Sequence, residues 1–215
     1  MAAASCAVAH LEAEPLDTIL SRMDANAKKF RSVTAAMQQA DYNAVLKEST
    51  KSDGDLHIRR SGSGFSGLLK YNPPDPRVVS FIGRTVRIYY PNSNVVEQLN
   101  AGGYLDHVSE FLLFGTSGET LKKTYSIAPA GSESIGSTPA THLVLTPKSA
   151  ELGKMIAKLE IWIPEGESYP IQEKATEPSQ NAHVFSFTEV KINPRVPDSA
   201  FEFKIPPGAK VINHK

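Results

Sequence analysis

The apolar residues of the chain first recur at helical spacing and then change to the alternation of strands. Over residues 17–30 they fall near i, i+3, i+4 and i+7, which predicts an amphipathic helix. Pro15 and the Asp17 carboxylate favour its start, and a basic cluster favours its end.

Short runs with a two-residue period follow, separated by turn residues at intervals of about 8–12 residues, the pattern of an antiparallel sandwich or barrel. The predicted strands are residues 32–39, 42–49, 56–60, 68–71, 78–82, 86–90, 95–99, 123–127, 141–146, 159–163, 169–176, 183–192 and 201–205. Turn residues predict a turn at Ser52-Asp53-Gly54, a proline-rich bend at residues 73–76 and a polar loop over residues 131–139.

A second helix is predicted between the strands, and Gly115 after it is a typical helix stop. Its single apolar face consists of Tyr104, Leu105, Val108, Phe111 and Leu112. Helix, strands, helix and strands in this order predict an α+β fold with helices on one face of an antiparallel sheet. We expect one domain over residues 15–215, preceded by a processing segment or disordered tail over residues 1–14.

Charge and composition argue against a nucleic-acid-binding, a membrane-spanning and a disulfide-bonded protein. The 23 basic and 23 acidic residues balance, so no strong field favours nucleic acid. No run of residues is apolar for the roughly 20 positions that span a bilayer. Cys6 is the only cysteine, which excludes an internal disulfide and a cysteine-based metal site.

Candidate chemistry is sparse. The glycines of Gly62-x-Gly64-x-x-Gly67 match a dinucleotide fingerprint, but the chain runs into prolines where that fingerprint requires a helix, so a hairpin tip is the better interpretation. The six histidines form no dense cluster, although His107 and Glu110 could share an ion; no metal site is expected. No nucleophile elbow is present, so Ser-His-Asp chemistry has no local support. We therefore assign no catalytic residue and expect no cofactor.

The first residues indicate export. Ala7-Val8-Ala9 has the small-x-small form of a signal-peptidase site, which is typical of the end of a trimmed signal peptide. A second interpretation remains open, because Ala4-Ser5-Cys6 is similar to the residues that precede a lipid-modified cysteine. Either one predicts a periplasmic location.

Several motifs occur in an order that resembles the outer-membrane lipoprotein carrier family (LolA-like) over about residues 16–212. They are Leu20-Ser21-Arg22-Met23-Asp24, Gly54-Asp55-Leu56-His57-Ile58-Arg59-Arg60, Gly83-Arg84-Thr85-Val86-Arg87-Ile88-Tyr89-Tyr90-Pro91, Val96-Glu97-Gln98, Leu143-Val144-Leu145-Thr146-Pro147-Lys148 and Phe203-Lys204-Ile205-Pro206-Pro207-Gly208-Ala209-Lys210-Val211.

The resemblance implies an incomplete, half-open antiparallel β-barrel whose helices form a lid over an apolar concave face. It implies a non-enzymatic monomeric carrier of lipoprotein acyl chains, shuttling from an inner-membrane ATP-driven release complex to an outer-membrane receptor. The side chains expected to bind lipid are Leu20, Met23, Leu56, Ile58, Leu69, Val86, Ile88, Tyr104, Leu105, Val108, Phe111 and Leu112.

The resemblance also implies a gating role for Arg60, as the arginine that hydrogen-bonds the lid backbone. Strand parity agrees, because Leu56, Ile58 and Arg60 share one face. The chain has Ser61 where the family often has proline, and Arg59 remains an alternative. A membrane-anchored lipoprotein receptor, a lipid-sensing regulatory protein of the same fold and a small-molecule-binding or enzymatic barrel stay open as alternatives.

Overall fold

The computed structural model describes residues 13–62, 64–83, 85–100 and 113–214, which form short helices and twelve strands. The helices are α1 (Leu16–Lys29), α2 (Gly118–Thr124), α3 (Ala150–Gly153) and a 3₁₀ turn (Asp198–Phe201). The strands are β1 (Ser32–Asn43), β2 (Glu48–Ser61), β3 (Gly64–Tyr71), β4 (Arg77–Ile82), β5 (Thr85–Tyr90), β6 (Val95–Asn100), β7 (Tyr125–Ile135), β8 (Thr138–Pro147), β9 (Lys158–Pro164), β10 (Gln172–Thr176), β11 (Ala182–Ile192) and β12 (Lys210–His214).

All twelve strands lie in one sheet, in the order β12-β6-β5-β4-β3-β2-β1-β11-β10-β9-β8-β7. Every pair is antiparallel except β12 with β6. The end strands β7 and β12 each have one neighbour, and their outer edges do not pair with each other within the described residues. The sheet is therefore an incomplete barrel, and the predicted α+β class with helices over the concave face is confirmed.

Helix α1 covers part of this concave face. Its buried residues Ile19, Leu20 and Met23 pack in one cluster with the inward side chains of β8, β9 and β10. Burying such side chains contributes roughly 1.5–3 kcal/mol each, which fixes the helix on the sheet. The helix ends at Phe30, whose extended backbone turns the chain into β1.

The long β1–β2 hairpin differs from its prediction. The expected strand over residues 42–49 is the end of β1, a turn and the start of β2, and the turn expected at Ser52-Asp53-Gly54 lies inside β2. Gly54 signals close approach here, because a Cβ at that position would lie 2.1 Å from the Lys70 carbonyl oxygen on β3.

Two further predictions are wrong. The polar loop expected over residues 131–139 is mostly ladder, since β7 continues to Ile135 and β8 begins at Thr138. The last strand is not residues 201–205 but β12, which pairs with β6 after the two prolines that cannot donate to a ladder. The bend at residues 73–76 is confirmed, and its Pro73–Pro74 bond is cis.

The C-terminal segment crosses the convex face of the sheet on its way from β11 to β12. Phe201 packs against His57 with ring centroids 6.1 Å apart, and Arg59 reaches the carboxylates of Asp198 at 3.2 Å and Glu202 at 3.4 Å. Arg59 thus belongs to the outer face, opposite to Arg60. Residues 1–12 of the processing segment expected over residues 1–14, and residues 104–112 on which the second helix is predicted, lie outside the described residues.

Gly115 should be more sensitive to substitution than another glycine with the same backbone conformation. Gly115 has φ +75° and a Cβ there would lie 2.4 Å from the Phe30 ring, whereas Gly136 has φ +61° with open space around it. We expect Gly136→Ala to lower the free energy of unfolding by about 1 kcal/mol and Gly115→Ala by about 3 kcal/mol. Urea denaturation of both variants measures this, and equal losses would contradict the close contact with Phe30.

Candidate functional site

The apolar residues of the concave face form two separate clusters. The sealed cluster contains the buried residues of α1 together with Leu113, Leu121, Tyr125, Leu143, Leu145, Leu152, Ile156, Leu159, Ile161, Ile163 and Ala175, none more than 5% exposed. The open cluster contains residues of β1 to β4 and β11, together with Phe30 after α1 and Phe114. Its members are Phe30, Val33, Ala35, Met37, Leu56, Ile58, Leu69, Tyr71, Phe81, Phe114 and Phe187.

The open cluster has a margin of apolar side chains that are only half-buried. The margin residues are Phe65, Val79, Val86, Tyr169, Phe185, Val190 and Ile192. Strand register places Val79 opposite Ile88, and Phe81 opposite Val86, so the margin continues onto β5. This apolar surface, still in contact with solvent beside a packed interior, is the candidate binding site.

The structure separates the residues predicted to bind lipid. Leu20 and Met23 lie in the sealed cluster, packed against the sheet. Leu56, Ile58 and Leu69 lie in the open cluster, Val86 belongs to its margin, and Ile88 is half-buried beside it. The remaining five, Tyr104, Leu105, Val108, Phe111 and Leu112, lie outside the described residues.

Arg60 connects β2 to the C-terminal end of α1. Its guanidinium donates from Nη2 to the Ala27 carbonyl oxygen at 3.1 Å and from Nε to the Phe30 carbonyl oxygen at 3.3 Å. These are carbonyls that the helix itself leaves unpaired, and a cation is favourable at this end of the helix dipole. The guanidinium also lies 5.1 Å from the centroid of the Phe65 ring, so the same side chain touches the margin.

Residues 113–115 cross the concave face between the clusters, which the sequence did not predict. Leu113 is buried in the sealed cluster and Phe114 in the open one, where its ring lies 5.0 Å from that of Phe187. Gly115 then passes under Phe30. Leu113 and Phe114 were missed because they directly precede Gly115, which was interpreted as the end of a helix.

Glu173 is the second residue that sequence reasoning missed. It lies on β10 between Ile161 and Phe185, is 2% exposed, and accepts a hydrogen bond at Oε1 from the Leu113 backbone N–H at 3.1 Å. Burial raises the pKa of its carboxyl to about 8. The signal in the sequence was strand parity, since Glu173 is two residues from Ala175 and therefore lies on the same, inward face of β10.

A hydrogen-bonded polar network closes the concave face near the β1–β2 hairpin. Tyr71 donates to Gln39, Gln39 donates to Asp41 at 2.9 Å, and His183 lies between Asp41 at 2.7 Å and Glu177 at 2.9 Å. The hydrogen bond to Asp41, followed by that to Glu177, raises the pKa of His183 to about 9. The network is charged and satisfied, so it limits the apolar surface at this end.

Neither a metal centre nor a membrane-spanning helix emerges from the described part of the chain. No group of three or more His, Cys, Asp or Glu side chains there could hold an ion, and none of its helices is long and apolar enough to cross a bilayer. Gly62 follows β2, and Gly64 and Gly67 lie in β3 with no helix after them; a Cβ at Gly67 would lie 2.5 Å from the His57 carbonyl oxygen.

Similar solved structures share the fold at low identity. An uncharacterized conserved protein from Thermus thermophilus is 12% identical over 92% of this chain and 98% of its own, with a TM-score of 0.57. The Pseudomonas aeruginosa MucA/MucB complex is 12% identical over 88% of this chain and 61% of that one, with a TM-score of 0.50. A LolA superfamily protein from Nitrosomonas europaea is 12% identical over 89% and 99%, with a TM-score of 0.40.

The unclosed antiparallel sheet with helices on its concave face is a fold that this chain shares with the Thermus thermophilus protein and with MucB. The chain belongs to the family described as "Predicted periplasmic protein (DUF2092)", whose model matches residues 23–214. This description confirms the periplasmic location inferred from the sequence, and the unclosed sheet confirms the fold that the resemblance implied. No curated protein matches this sequence.

Glu173 should make the stability of the protein depend on pH. Its pKa is about 8 in the fold against 4.5 for the free side chain, so the folded state binds more protons between these values. The free energy of unfolding should therefore fall as pH rises from about 4.5 to 8, by up to about 1.4 kcal/mol per pH unit.

In Glu173→Gln this part of the pH dependence should disappear, which urea denaturation across the same range measures. The stabilisation from His183 is also lost as pH rises, through its pKa of about 9, so the difference between wild type and variant isolates Glu173. Parallel curves for the two proteins would show that the carboxyl is ionised in the fold.

Proposed function

We propose that this protein is a non-enzymatic carrier that binds lipoprotein acyl chains along the margin of the open cluster. One observation carries the proposal: apolar side chains from β3, β4, β5 and β11 stay half-buried on the concave face, while the sealed cluster beside them is fully packed. A protein that needed this surface only for stability would cover it.

Binding and release have to be balanced. Each buried CH₂ group of an acyl chain contributes about 0.8 kcal/mol, so a few chains would bind too tightly for delivery. Arg60 supplies an opposing cost, because α1 moves away from β2 only if its hydrogen bonds to Ala27 and Phe30 break. Cargo whose entry requires that movement binds with lower net affinity.

The proposed route runs from an inner-membrane ATP-driven release complex to an outer-membrane receptor, with the protein as a monomeric shuttle between them. The periplasmic assignment of the family supports a place between the two membranes.

A second candidate is a receptor or lipid-sensing regulator that binds a partner protein. The similarity to MucB, whose structure was solved in complex with MucA, favours it. The two candidates differ at Cys6, because a diacylated cysteine would hold the protein on a membrane and exclude a soluble shuttle. Mass spectrometry of the native N-terminus distinguishes them.

The opposite faces of β4 offer a direct test of the binding site. Val79 faces the open cluster, and its neighbour Val78, equally half-buried, faces outward opposite Tyr89. Val79→Asp should weaken binding of a fluorescent acyl probe at least about tenfold, because a bound acyl chain would cover the carboxylate and remove it from water.

Val78→Asp carries the same strand penalty and should leave the affinity for the probe unchanged. Lipid co-purified from periplasm should fall in the same order. If neither variant alters binding, or the wild-type protein carries no lipid or lipoprotein, the carrier proposal is wrong.

Arg60 should lower the affinity of the protein for acyl chains without contributing to the binding surface itself. Arg60→Leu removes two hydrogen bonds that are present only while α1 is held against β2, so acyl-probe affinity should rise about three- to tenfold and release should slow. Arg59→Leu, which loses only outer-face contacts, is the matched control. Unchanged or weaker binding in Arg60→Leu would remove Arg60 from the gating role, and stopped-flow release rates provide the measurement.

A further inference from the structure

Glu173 is a carboxyl group placed where the concave face is otherwise apolar. Register puts it directly between Ile161 of the sealed cluster and Phe185 of the margin, with Leu113 above its Oε1. Phe185 is half-buried, and side chains opposite each other on antiparallel strands lie roughly 5 Å apart. An acyl chain that lies along the margin therefore comes within reach of the carboxyl.

Only one of its two oxygens is used. Oε1 accepts from the Leu113 backbone, whereas Oε2 is buried and has no hydrogen-bond partner within the described ranges. A buried polar atom without a partner is uncommon and unfavourable, so it calls for a reason. Pairing the Leu113 N–H accounts for Oε1 and leaves Oε2 without a role in the packing of β10.

The surroundings favour the uncharged acid. The neighbours opposite it on β9 and β11 are aliphatic and aromatic. On this side of the sheet His183 is already bound to Asp41 and Glu177, and burial raises the pKa of Tyr169 to about 12. Burial likewise raises the pKa of Glu173 to about 8. A protonated carboxyl has an acceptor at one oxygen and an O–H donor at the other.

We propose that Glu173 is the polar anchor of the acyl site, donating a hydrogen bond from Oε2 to the carbonyl oxygen of an ester- or amide-linked acyl chain. The inference rests on the proposed function and names the ligand class more narrowly: acylated molecules, not alkyl chains in general. A carbonyl oxygen is a good acceptor for an acid O–H, and it stands at the head of every acyl chain. An ammonium ligand would instead need the charged carboxylate, which burial disfavours.

The test compares two amphiphiles that differ only in this carbonyl, 1-monopalmitoylglycerol and the matched 1-hexadecylglycerol ether, as competitors of a fluorescent acyl probe on the full chain. At pH 7 we expect the ester to bind about three- to tenfold more tightly than the ether, the effect of one hydrogen bond. Raising the pH to 9.5 should bring the ratio toward one, because the ionised carboxyl has no proton to donate.

Three variants test whether the preference for the ester depends on the Glu173 side chain. Glu173→Met should abolish the preference for the ester, and Glu173→Gln, whose amide still donates, should keep it without its pH dependence. Glu160→Gln changes a buried glutamate on the outer face of the neighbouring strand and should leave the preference intact. If Glu173→Met fails to fold, the pH series on the wild-type protein decides alone.

The outcomes also separate this inference from the proposed function. Equal binding of ester and ether by the wild-type protein at pH 7 overturns the anchor while acyl binding stands. A preference that persists in Glu173→Met, or at pH 9.5, overturns it too. If neither amphiphile displaces the probe, both proposals fail together.

Discussion

The packing of α1 against the inward side chains of β8, β9 and β10 is the interaction on which the molecule depends. It fills one half of the concave face, and a Cβ at Gly118 would lie 2.6 Å from the Leu20 carbonyl oxygen, which shows how closely α2 is held against the helix. Because one helix cannot cover a sheet of twelve strands, the other half is left with partial cover. A stable core and an accessible apolar surface thus share one side of the same sheet.

The polar contacts lie where this accessible half ends. At one end Arg60 holds the last turn of α1, and at the other the His183 network joins β1, β3 and β11. Glu173 is different, because it lies inside the apolar region with one oxygen unused. The arrangement concentrates charge at the limits of the accessible half and places the Glu173 carboxyl within it.

Local periodicity predicted α1 and most strands, because burial on one face imposes a period on nearby residues. It failed where structure depends on distant partners: Ser52-Asp53-Gly54 looks like a turn until β3 is seen against Gly54, and the polar ends of β7 and β8 pair without a core behind them. The position of Arg60 on the inward face followed from strand parity. The burial of Glu173 could not be predicted, since a glutamate in a short strand is ordinarily solvated.

The two unpaired ends of the sheet bear on the range of cargo. A closed barrel has a radius fixed by strand number and stagger, because each strand is bonded on both sides. Within the described chain β7 and β12 do not meet, so no hydrogen-bond ladder sets the circumference. The curvature can therefore relax outward or tighten without breaking an interstrand hydrogen bond. For the carrier function proposed above, this means that one scaffold can accommodate acyl chains that differ in number and bulk.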